Sequence, residues 1–238
     1  MAVLLGRERS TTKPRVKRWA GTKLWLLDLD DTVLCSSGGL FVELHRRMNR
    51  FLMTQLGLSE EEATTMRQAY WARYGTTFLG LWRHHGIDPV RFLSETHDFD
   101  VQPFLHVEGD PGRIISELSG RKVLYTNAPR NYAEAALRHL GMTHVFDDLV
   151  CSTDTYWLGD WAPKPSKRMM THLLHRFGST PGTTTLVDDS FFNLRIAKQV
   201  GLRTICCYGY HRRHAPYPMR RPTYVDAMIA HLRELPRL

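Results

Sequence analysis

Four short apolar runs, each ending in polar residues, are the feature of this sequence that most constrains its fold. The runs are Leu24–Leu27, Lys122–Tyr125, Thr185–Val187 and Thr204–Tyr208. Each is continuous rather than alternating in polarity, which is typical of strands buried on both faces of a parallel sheet. Helical stretches that end at a glycine separate several of them, as in Asn131–Gly141 and Ser190–Gly201. We therefore predict an α/β fold with a doubly wound, Rossmann-like parallel sheet.

Residues 39–102 differ from the rest of the chain because they contain helical signals and no strand candidate. Leu44, Met48 and Phe51 recur at helical spacing, and Ser59 with Glu62 forms a capping box for a second helix. We interpret this segment as a helical cap inserted after the first strand. The predicted organisation is a basic N-terminal extension (1–23), an α/β core (24–38 and 103–210), the helical cap (39–102) and a basic C-terminal segment (211–238).

The positive charge of the chain is concentrated at its two ends. The net charge of +8 divides into +6 for residues 1–23, +4 for residues 209–238 and −2 for the middle of the chain. Basic ends can bind nucleic acid or attract phosphorylated ligands. We favour the simpler interpretation, in which they are solvated tails that keep the protein soluble.

Cysteine content and hydropathy together predict a cytoplasmic protein without membrane contact. Four cysteines in 238 residues do not suggest a disulfide framework, which fits a reducing compartment. No apolar run approaches the roughly 18 residues needed to span a bilayer. The first residues also lack the apolar core of a signal peptide. The oligomeric state is left open.

Polar residues follow the predicted strands at their carboxyl ends, where open parallel sheets bind ligands. They are Asp28 and Asp30 after the first strand, Thr126 and Asn127 after the second, Asp188 and Asp189 after a later one, and Lys164 in a loop between the last two. Four carboxylates in one crevice repel one another unless a cation joins them. Oxygen ligands without clustered histidine or cysteine indicate a hard metal, most simply Mg²⁺. A lysine and a hydroxyl beside that metal suit a phosphoryl group.

The spacing of Asp28 and Asp30 permits two chemical roles. On an extended segment, residues two apart face the same side. One carboxylate can then attack phosphorus and form an aspartyl-phosphate. The other can protonate the leaving oxygen and later deprotonate the attacking water.

These motifs resemble those of the haloacid dehalogenase (HAD) superfamily. Asp28–Thr32 is similar to its DxDxT motif, and Thr126, Lys164 and the pair Asp188–Asp189 are similar to its later motifs, in the same order. The resemblance covers about residues 24–210, with the helical insertion in the position of the family's cap. It implies a nucleophile, an acid/base, a phosphate-binding set and an Mg²⁺ site. By this resemblance, Asp28 is the nucleophile and Asp30 is the acid/base. The phosphate is bound by Thr126, Asn127 and Lys164. Mg²⁺ is held by Asp28, the Asp30 main chain, Asp188 and Asp189.

Within the superfamily, the sequence resembles the pyrimidine 5′-nucleotidase-like phosphatases. The similar segments are Tyr74–Thr77 with Gly80-Leu81, Leu124–Ala128, and Asp188–Ser190 with Asn193. Asn193 stands where many relatives carry another acid. The resemblance makes Tyr74, Thr76 and Thr77 candidate substrate contacts in the cap. Asp30 argues against a dehalogenase, because cleavage of a carbon–halogen bond needs no acid for its leaving group.

The predicted function is an Mg²⁺-dependent phosphomonoesterase that acts on a small phosphorylated metabolite, in particular a pyrimidine nucleoside 5′-monophosphate. A phosphatase for a sugar phosphate, phosphoglycolate or a vitamin phosphate would share every core residue. A phosphomutase is also compatible with these residues. The basic ends are compatible with a nucleic-acid-binding protein that has a phosphatase fold.

Overall fold

Six parallel strands form the central sheet in the described part of the protein. The computed structural model describes residues 21–210 and 220–237. In chain order the strands are β1 (Leu24–Leu27), β2 (Arg121–Tyr125), β3 (Asp148–Val150), β4 (Tyr156–Trp157), β5 (Asp160–Trp161), β6 (Thr184–Asp188), β7 (Arg203–Cys207) and β8 (Ala227–Ile229). The main sheet has the order β3-β2-β1-β6-β7-β8 with every neighbouring pair parallel, while β4 and β5 form a separate hairpin. The predicted doubly wound α/β class is confirmed.

The central strand β1 explains why the apolar runs of the sequence are continuous. All four of its residues are buried, and it pairs with β2 on one side and β6 on the other. Leu24 and Leu26 pack into one apolar layer, and Trp25 and Leu27 pack into the layer on the opposite face. A strand that is covered on both faces has no solvent-facing positions, so it carries no polar alternation.

Within the same described ranges, eight α-helices surround the sheet or form the segment between β1 and β2. That segment contains α1 (Leu40–Leu56), α2 (Glu60–Tyr74), α3 (Thr77–His85) and α4 (Pro89–His97), and the sheet is flanked by α5 (Pro111–Ser116), α6 (Arg130–His139), α7 (Lys167–Arg176) and α8 (Phe191–Val200). The predicted capping box is present, since Ser59 and Glu62 satisfy each other's main-chain N–H groups. We call residues 39–102 the cap, and its limits stay a prediction.

The β4–β5 hairpin connects the core to the cap. Trp161 packs into the apolar cluster of the cap, where its ring meets Phe78 edge-on with the centroids 5.9 Å apart. Arg83 of α3 also lies 3.6 Å from Asp160 of the hairpin. The exposed pair of charges adds little stability, so the buried aromatic contact is the principal link here.

The sheet extends beyond the core boundary predicted at residue 210. Strand β8 pairs with β7, and Val225, Ile229, Leu232 and Leu235 are buried. The boundary is therefore wrong for this part of the predicted basic C-terminal segment, which belongs to the core. A three-residue edge strand is too short to produce a periodic signal of its own. Residues 1–20 and 211–219, which carry most of the predicted basic ends, lie outside the described residues.

Two observations relate to the predicted compartment. The four cysteines are buried and free, in agreement with the absence of a disulfide framework. Burial raises the pKa of Cys151 and of Cys206 to about 12, which keeps these thiols protonated. Across residues 21–210 and 220–237, no helix combines the length and the apolar character needed to cross a bilayer. A cytoplasmic location stays a prediction.

Candidate active site

Two neighbouring strands bring three of the predicted acidic residues to one edge of the sheet. Asp28 directly follows β1 and donates its main-chain N–H to the Val187 oxygen of β6 at 3.0 Å. Asp188 ends β6, and Asp189 follows it. One carboxylate oxygen from each of Asp28, Asp188 and Asp189 lies within 4.8 Å of the others. Parallel pairing therefore joins groups that are distant in the chain.

Lys164 lies between two of these carboxylates. Its Nζ is 2.5 Å from Asp28 Oδ1 and 3.0 Å from Asp188 Oδ2, and the residue is only 1% exposed. Burial by itself would lower the pKa of Lys164, but the charges of Asp188 and Asp28 outweigh it and raise the pKa above the usual range. The side chain is therefore a fixed cation at this edge of the sheet.

One lysine does not neutralise the acidic cluster. Burial raises the pKa of Asp28 and of Asp188 despite the opposing attraction of Lys164, and repulsion from neighbouring carboxylates adds to the rise. A divalent cation among Asp28, Asp188 and Asp189 would remove this excess negative charge. The donors are all carboxylate oxygens, which is the ligand type of Mg²⁺. These three residues therefore fit the predicted metal site, while the main-chain ligand at Asp30 stays a prediction.

Asn193 and Ser190 hold Asp188 in place. Asn193 Nδ2 donates to both Asp188 oxygens, at 2.9 and 3.1 Å, and the Ser190 N–H donates to Oδ1 at 2.9 Å. Ser190 is the N-cap of α8, and its hydroxyl oxygen accepts the Asn193 N–H. The start of α8 therefore orients the Asp188 carboxylate and leaves Asn193 as a hydrogen-bond donor beside the cluster.

The two predicted phosphate-binding residues after β2 have different environments. Thr126 is buried, and its Oγ1 accepts the Ala128 N–H at 3.0 Å, so its hydroxyl hydrogen is still able to bind an anion. The Asn127 side chain instead bonds the Lys164 main chain twice, donating to the carbonyl oxygen and accepting the N–H, both at 2.8 Å. The Asn127 amide therefore positions the Lys164 loop, and its phosphate contact stays a prediction.

Asp30 receives two hydroxyl hydrogen bonds on the same oxygen. Ser36 Oγ donates to Asp30 Oδ1 at 2.5 Å, and the Tyr132 hydroxyl donates to it at 2.6 Å. Burial raises the pKa of Asp30, although both hydroxyls act in the opposite direction. A carboxyl group with a raised pKa is suited to donating a proton near neutral pH.

The turn after β1 holds Asp30 in its position. Asp31 adopts a left-handed backbone with φ of 54°, and its Oδ1 accepts the main-chain N–H groups of Ser36 and Ser37 at 2.8 and 2.9 Å. Asp31 therefore closes the turn that brings Ser36 to Asp30. Sequence reasoning missed Ser36 and Tyr132, because a serine in a loop and a tyrosine in an amphipathic helix carry no distinctive signal.

The three predicted substrate contacts in the cap differ in their burial and in the hydrogen bonds of their hydroxyl groups. Thr76 is the N-cap of α3 and its Oγ1 accepts the Leu79 N–H, while the Thr77 hydroxyl donates to the Arg67 carbonyl. Both threonines are buried. Thr77 uses its hydroxyl hydrogen within the cap, whereas the bond to Leu79 leaves the hydroxyl hydrogen of Thr76 unused, and the substrate contacts of both residues stay a prediction. Tyr74 is half-buried, and its hydroxyl lies 2.6 Å from His84 Nε2. Its ring is flanked at 5.3 Å by the guanidinium groups of Arg73 and Arg83.

Gly75 brings the cap into direct contact with the Lys164 loop. A Cβ at this position would lie 2.6 Å from Pro165 Cδ and 2.9 Å from the Lys164 carbonyl oxygen. Gly75 also has φ of 78° and ends α2. Only a residue without a side chain fits this approach, so the end of α2, with Tyr74 directly before Gly75, lies next to the loop that carries Lys164.

Comparison with known proteins gives a consistent family and fold. The family model for haloacid dehalogenase-like hydrolases matches residues 22–201. Phosphate metabolism protein 8 of Saccharomyces cerevisiae is 23% identical over an alignment of 193 residues that covers 76% of this chain. The chain spans 60% of the length of that yeast protein.

Solved structures of two different activities share the fold. A HAD phosphatase from Thermococcus onnurineus is 21% identical and superposes with a TM-score of 0.61, with 90% of this chain and 96% of that one covered. An L-2-haloacid dehalogenase from Xanthobacter autotrophicus is 17% identical with a TM-score of 0.54, covering 90% and 97%. Because both enzymes superpose on this chain, the side chains of the site must distinguish between their reactions.

Proposed function

The chain belongs to the haloacid dehalogenase-like hydrolases, and we propose that within this family it is an Mg²⁺-dependent phosphomonoesterase. The observation that carries the proposal is the arrangement of Asp28, Lys164 and Asp188 beside a second carboxyl group, Asp30. A nucleophilic carboxylate, a fixed cation and a proton donor are the groups that hydrolysis of a phosphate ester requires.

In the proposed reaction, Asp28 attacks phosphorus in line with the ester bond and forms an aspartyl-phosphate. The bond to the leaving oxygen breaks with its electron pair, and Asp30 donates a proton to that oxygen. Asp30 then takes a proton from water, whose oxygen attacks phosphorus and releases inorganic phosphate and the Asp28 carboxylate. Lys164 and the Thr126 hydroxyl bind the phosphoryl oxygens. Mg²⁺, when held by Asp28, Asp188 and Asp189, neutralises charge on the transferred group.

Asp30 supports a phosphatase rather than a dehalogenase. A halide leaves as a stable anion, whereas an alkoxide is a poor leaving group unless it is protonated as it departs. The two hydroxyls on Asp30 Oδ1 keep the carboxyl group in a defined orientation beside Asp28. This arrangement has a purpose in ester hydrolysis and none in cleavage of a carbon–halogen bond.

The cap supports a nucleotide-sized substrate. Tyr74 offers an aromatic ring directly before the Gly75 contact with the Lys164 loop, and Arg73 and Arg83 offer positive charge beside that ring. These groups suit a base or sugar joined to the phosphate. We propose a pyrimidine nucleoside 5′-monophosphate, on the resemblance described for Tyr74–Thr77 and Leu124–Ala128. Another small phosphate ester is the second candidate, since the core residues are common to both.

A substrate panel tests this proposal. We expect kcat/KM for UMP, CMP and dTMP to exceed that for AMP and sugar phosphates by about 10-fold or more, the discrimination typical of one or two specific contacts. Activity should disappear with EDTA and return with Mg²⁺. Phosphate release measured by a colorimetric assay gives the rates. Equal rates across the panel would reject the nucleotide substrate. Release of halide from a haloacid, with no release of phosphate from any ester of the panel, would reject the phosphatase.

Substitution of Gly75 tests whether the cap positions the Lys164 loop. We expect Gly75→Ala to lower kcat, because the new Cβ displaces Pro165 and with it Lys164, and to lower stability by about 1–3 kcal/mol through backbone strain. Gly57→Ala is the matched control, because Gly57 also has a positive φ of 67° but no atom within 4 Å of its Cβ position. Steady-state kinetics and thermal unfolding separate the two effects. If both variants keep the same kcat, the contact has no catalytic importance.

A further inference from the structure

We propose that Tyr132 is a positioning residue for proton transfer, which acts by holding one oxygen of Asp30 so that the other faces the substrate. The proposal rests on the proposed phosphatase function. Tyr132 belongs to none of the motifs described above, and it lies 102 positions from Asp30 in the chain. Its role follows from the geometry of its hydroxyl.

Both hydrogen bonds to Asp30 end on Oδ1. The hydroxyls of Tyr132 and Ser36 donate to it at 2.6 and 2.5 Å, and no residue in the described part of the chain donates to Oδ2. A carboxylate oxygen that accepts two short hydrogen bonds has little capacity left for a proton. The proton of a protonated Asp30 therefore resides on Oδ2, which is the oxygen available to a leaving group.

The surroundings of Tyr132 keep its hydroxyl in one orientation. Tyr132 is 2% exposed and lies in the first turn of α6. This helix begins four residues after Thr126, which directly follows β2. Its ring meets His97 nearly perpendicularly, with the centroids 5.7 Å apart. His97 Nδ1 is already hydrogen-bonded to the Leu93 carbonyl at 2.9 Å. Burial and this packing restrict the rotation of the tyrosine ring, so the hydrogen bond to Asp30 needs no further ordering.

Loss of this hydrogen bond would allow the Asp30 carboxyl group to rotate. The acidic proton would then point away from the leaving oxygen in part of the molecules. An alkyl ester would be affected most, because its leaving oxygen is strongly basic and needs the proton. An aryl ester such as p-nitrophenyl phosphate leaves without such help and would be affected little. The proposal therefore predicts an effect that depends on the leaving group.

The test compares Tyr132→Phe with wild type on two probes, p-nitrophenyl phosphate and an alkyl phosphate that the wild type hydrolyses. We expect kcat/KM for the alkyl ester to fall about 10-fold or more, within the range of general acid catalysis. This parameter reports the displacement of the leaving oxygen by Asp28 and excludes the later hydrolysis of the aspartyl-phosphate, which both esters share. The rate for the aryl ester should fall much less. Phenylalanine preserves the ring contact with His97, and Ser36→Ala should shift the ratio of the two rates in the same direction.

Tyr210→Phe is the matched control for removal of a buried tyrosine hydroxyl. Tyr210 is 6% exposed, and its hydroxyl accepts the Glu108 main-chain N–H, so it does not contact Asp30. We expect the ratio of the two rates to be unchanged in this variant. An equal fall in kcat/KM for both esters in Tyr132→Phe, or no fall, would overturn the positioning role. If the wild type hydrolyses neither ester, the proposed function fails instead, so the two failures are distinguishable.

Discussion

The Asp28→Asn variant is expected to lose phosphatase activity by about 10⁴-fold or more, the loss seen when a covalent nucleophile is removed. An amide oxygen cannot form the aspartyl-phosphate, and the neighbouring Asp188 carboxylate is already held by Lys164, Ser190 and Asn193. The fold should persist. Lys164 keeps its contact with Asp188, and repulsion between Asp28 and Asp188 disappears. Initial rates with p-nitrophenyl phosphate and Mg²⁺ measure the effect.

Asp148→Asn is a suitable control for this experiment. Asp148 begins β3 and pairs with Arg176 at 2.7 Å on the surface. We expect its activity to equal that of the wild type. Circular dichroism of both variants verifies that they are folded. Activity of Asp28→Asn within about 10-fold of the wild type, a small fraction of the loss typical for a nucleophile, would contradict the assignment of Asp28.

The second large effect is expected from Lys164→Met in the absence of divalent cations. This change removes the positive charge between two buried carboxylates, Asp28 and Asp188. Breaking a buried pair in this way typically lowers the free energy of unfolding by about 3–5 kcal/mol. Added Mg²⁺ should recover part of this loss, because it binds the folded cluster and not the unfolded chain. Urea unfolding with EDTA and with Mg²⁺ measures both effects.

The pH dependence of the free energy of unfolding gives an independent check on Lys164→Met. The pKa values of Asp28 and Asp188 are higher in the folded protein than in the unfolded chain. At a pH between the two values of each group, the folded state therefore binds more protons than the unfolded state. Stability contributed by these groups therefore rises as the pH falls through that interval. Without Lys164 the pKa values rise further, and mild acid should stabilise Lys164→Met more than the wild type.

Lys198→Met is the control for the loss of a lysine. Lys198 pairs with Asp226 at 2.6 Å, but its side chain is 37% exposed. We expect it to lower the free energy of unfolding by less than about 1 kcal/mol, as exposed ion pairs do, with no response to Mg²⁺ beyond that of the wild type. A similar loss of unfolding free energy in both lysine variants would contradict the electrostatic arrangement of the site. The absence of any effect of Mg²⁺ on the stability of Lys164→Met would contradict it as well.

Local patterns were sufficient to predict the class of the fold and the edge of the sheet that carries the site. The predicted runs at Leu24–Leu27 and Thr185–Val187 agree with β1 and β6 to within a residue. Burial on both faces makes a central strand continuously apolar, and this signal needs no knowledge of its neighbours. Since parallel strands all end at one edge, the residues that follow them could be grouped from the sequence.

The peripheral strands were not predictable in the same way. β3 and β8 have three residues each and are only partly buried. Such strands are specified by pairing with β2 and β7, which are separate segments of the chain. The strand propensity of these three-residue segments is too weak to distinguish them from loops. The core boundary at residue 210 was wrong for this reason.

The sequence by itself determined which polar residues follow the strands at the candidate site, because strand burial and strand ends are properties of short segments. Only the tertiary structure decided what each side chain contacts. Asn127 turned out to hold the Lys164 main chain, and Tyr132 reaches Asp30 from a helix 102 positions away. A hydrogen bond depends on distances and angles within a few tenths of an ångström, and those are fixed only when helices and strands pack together.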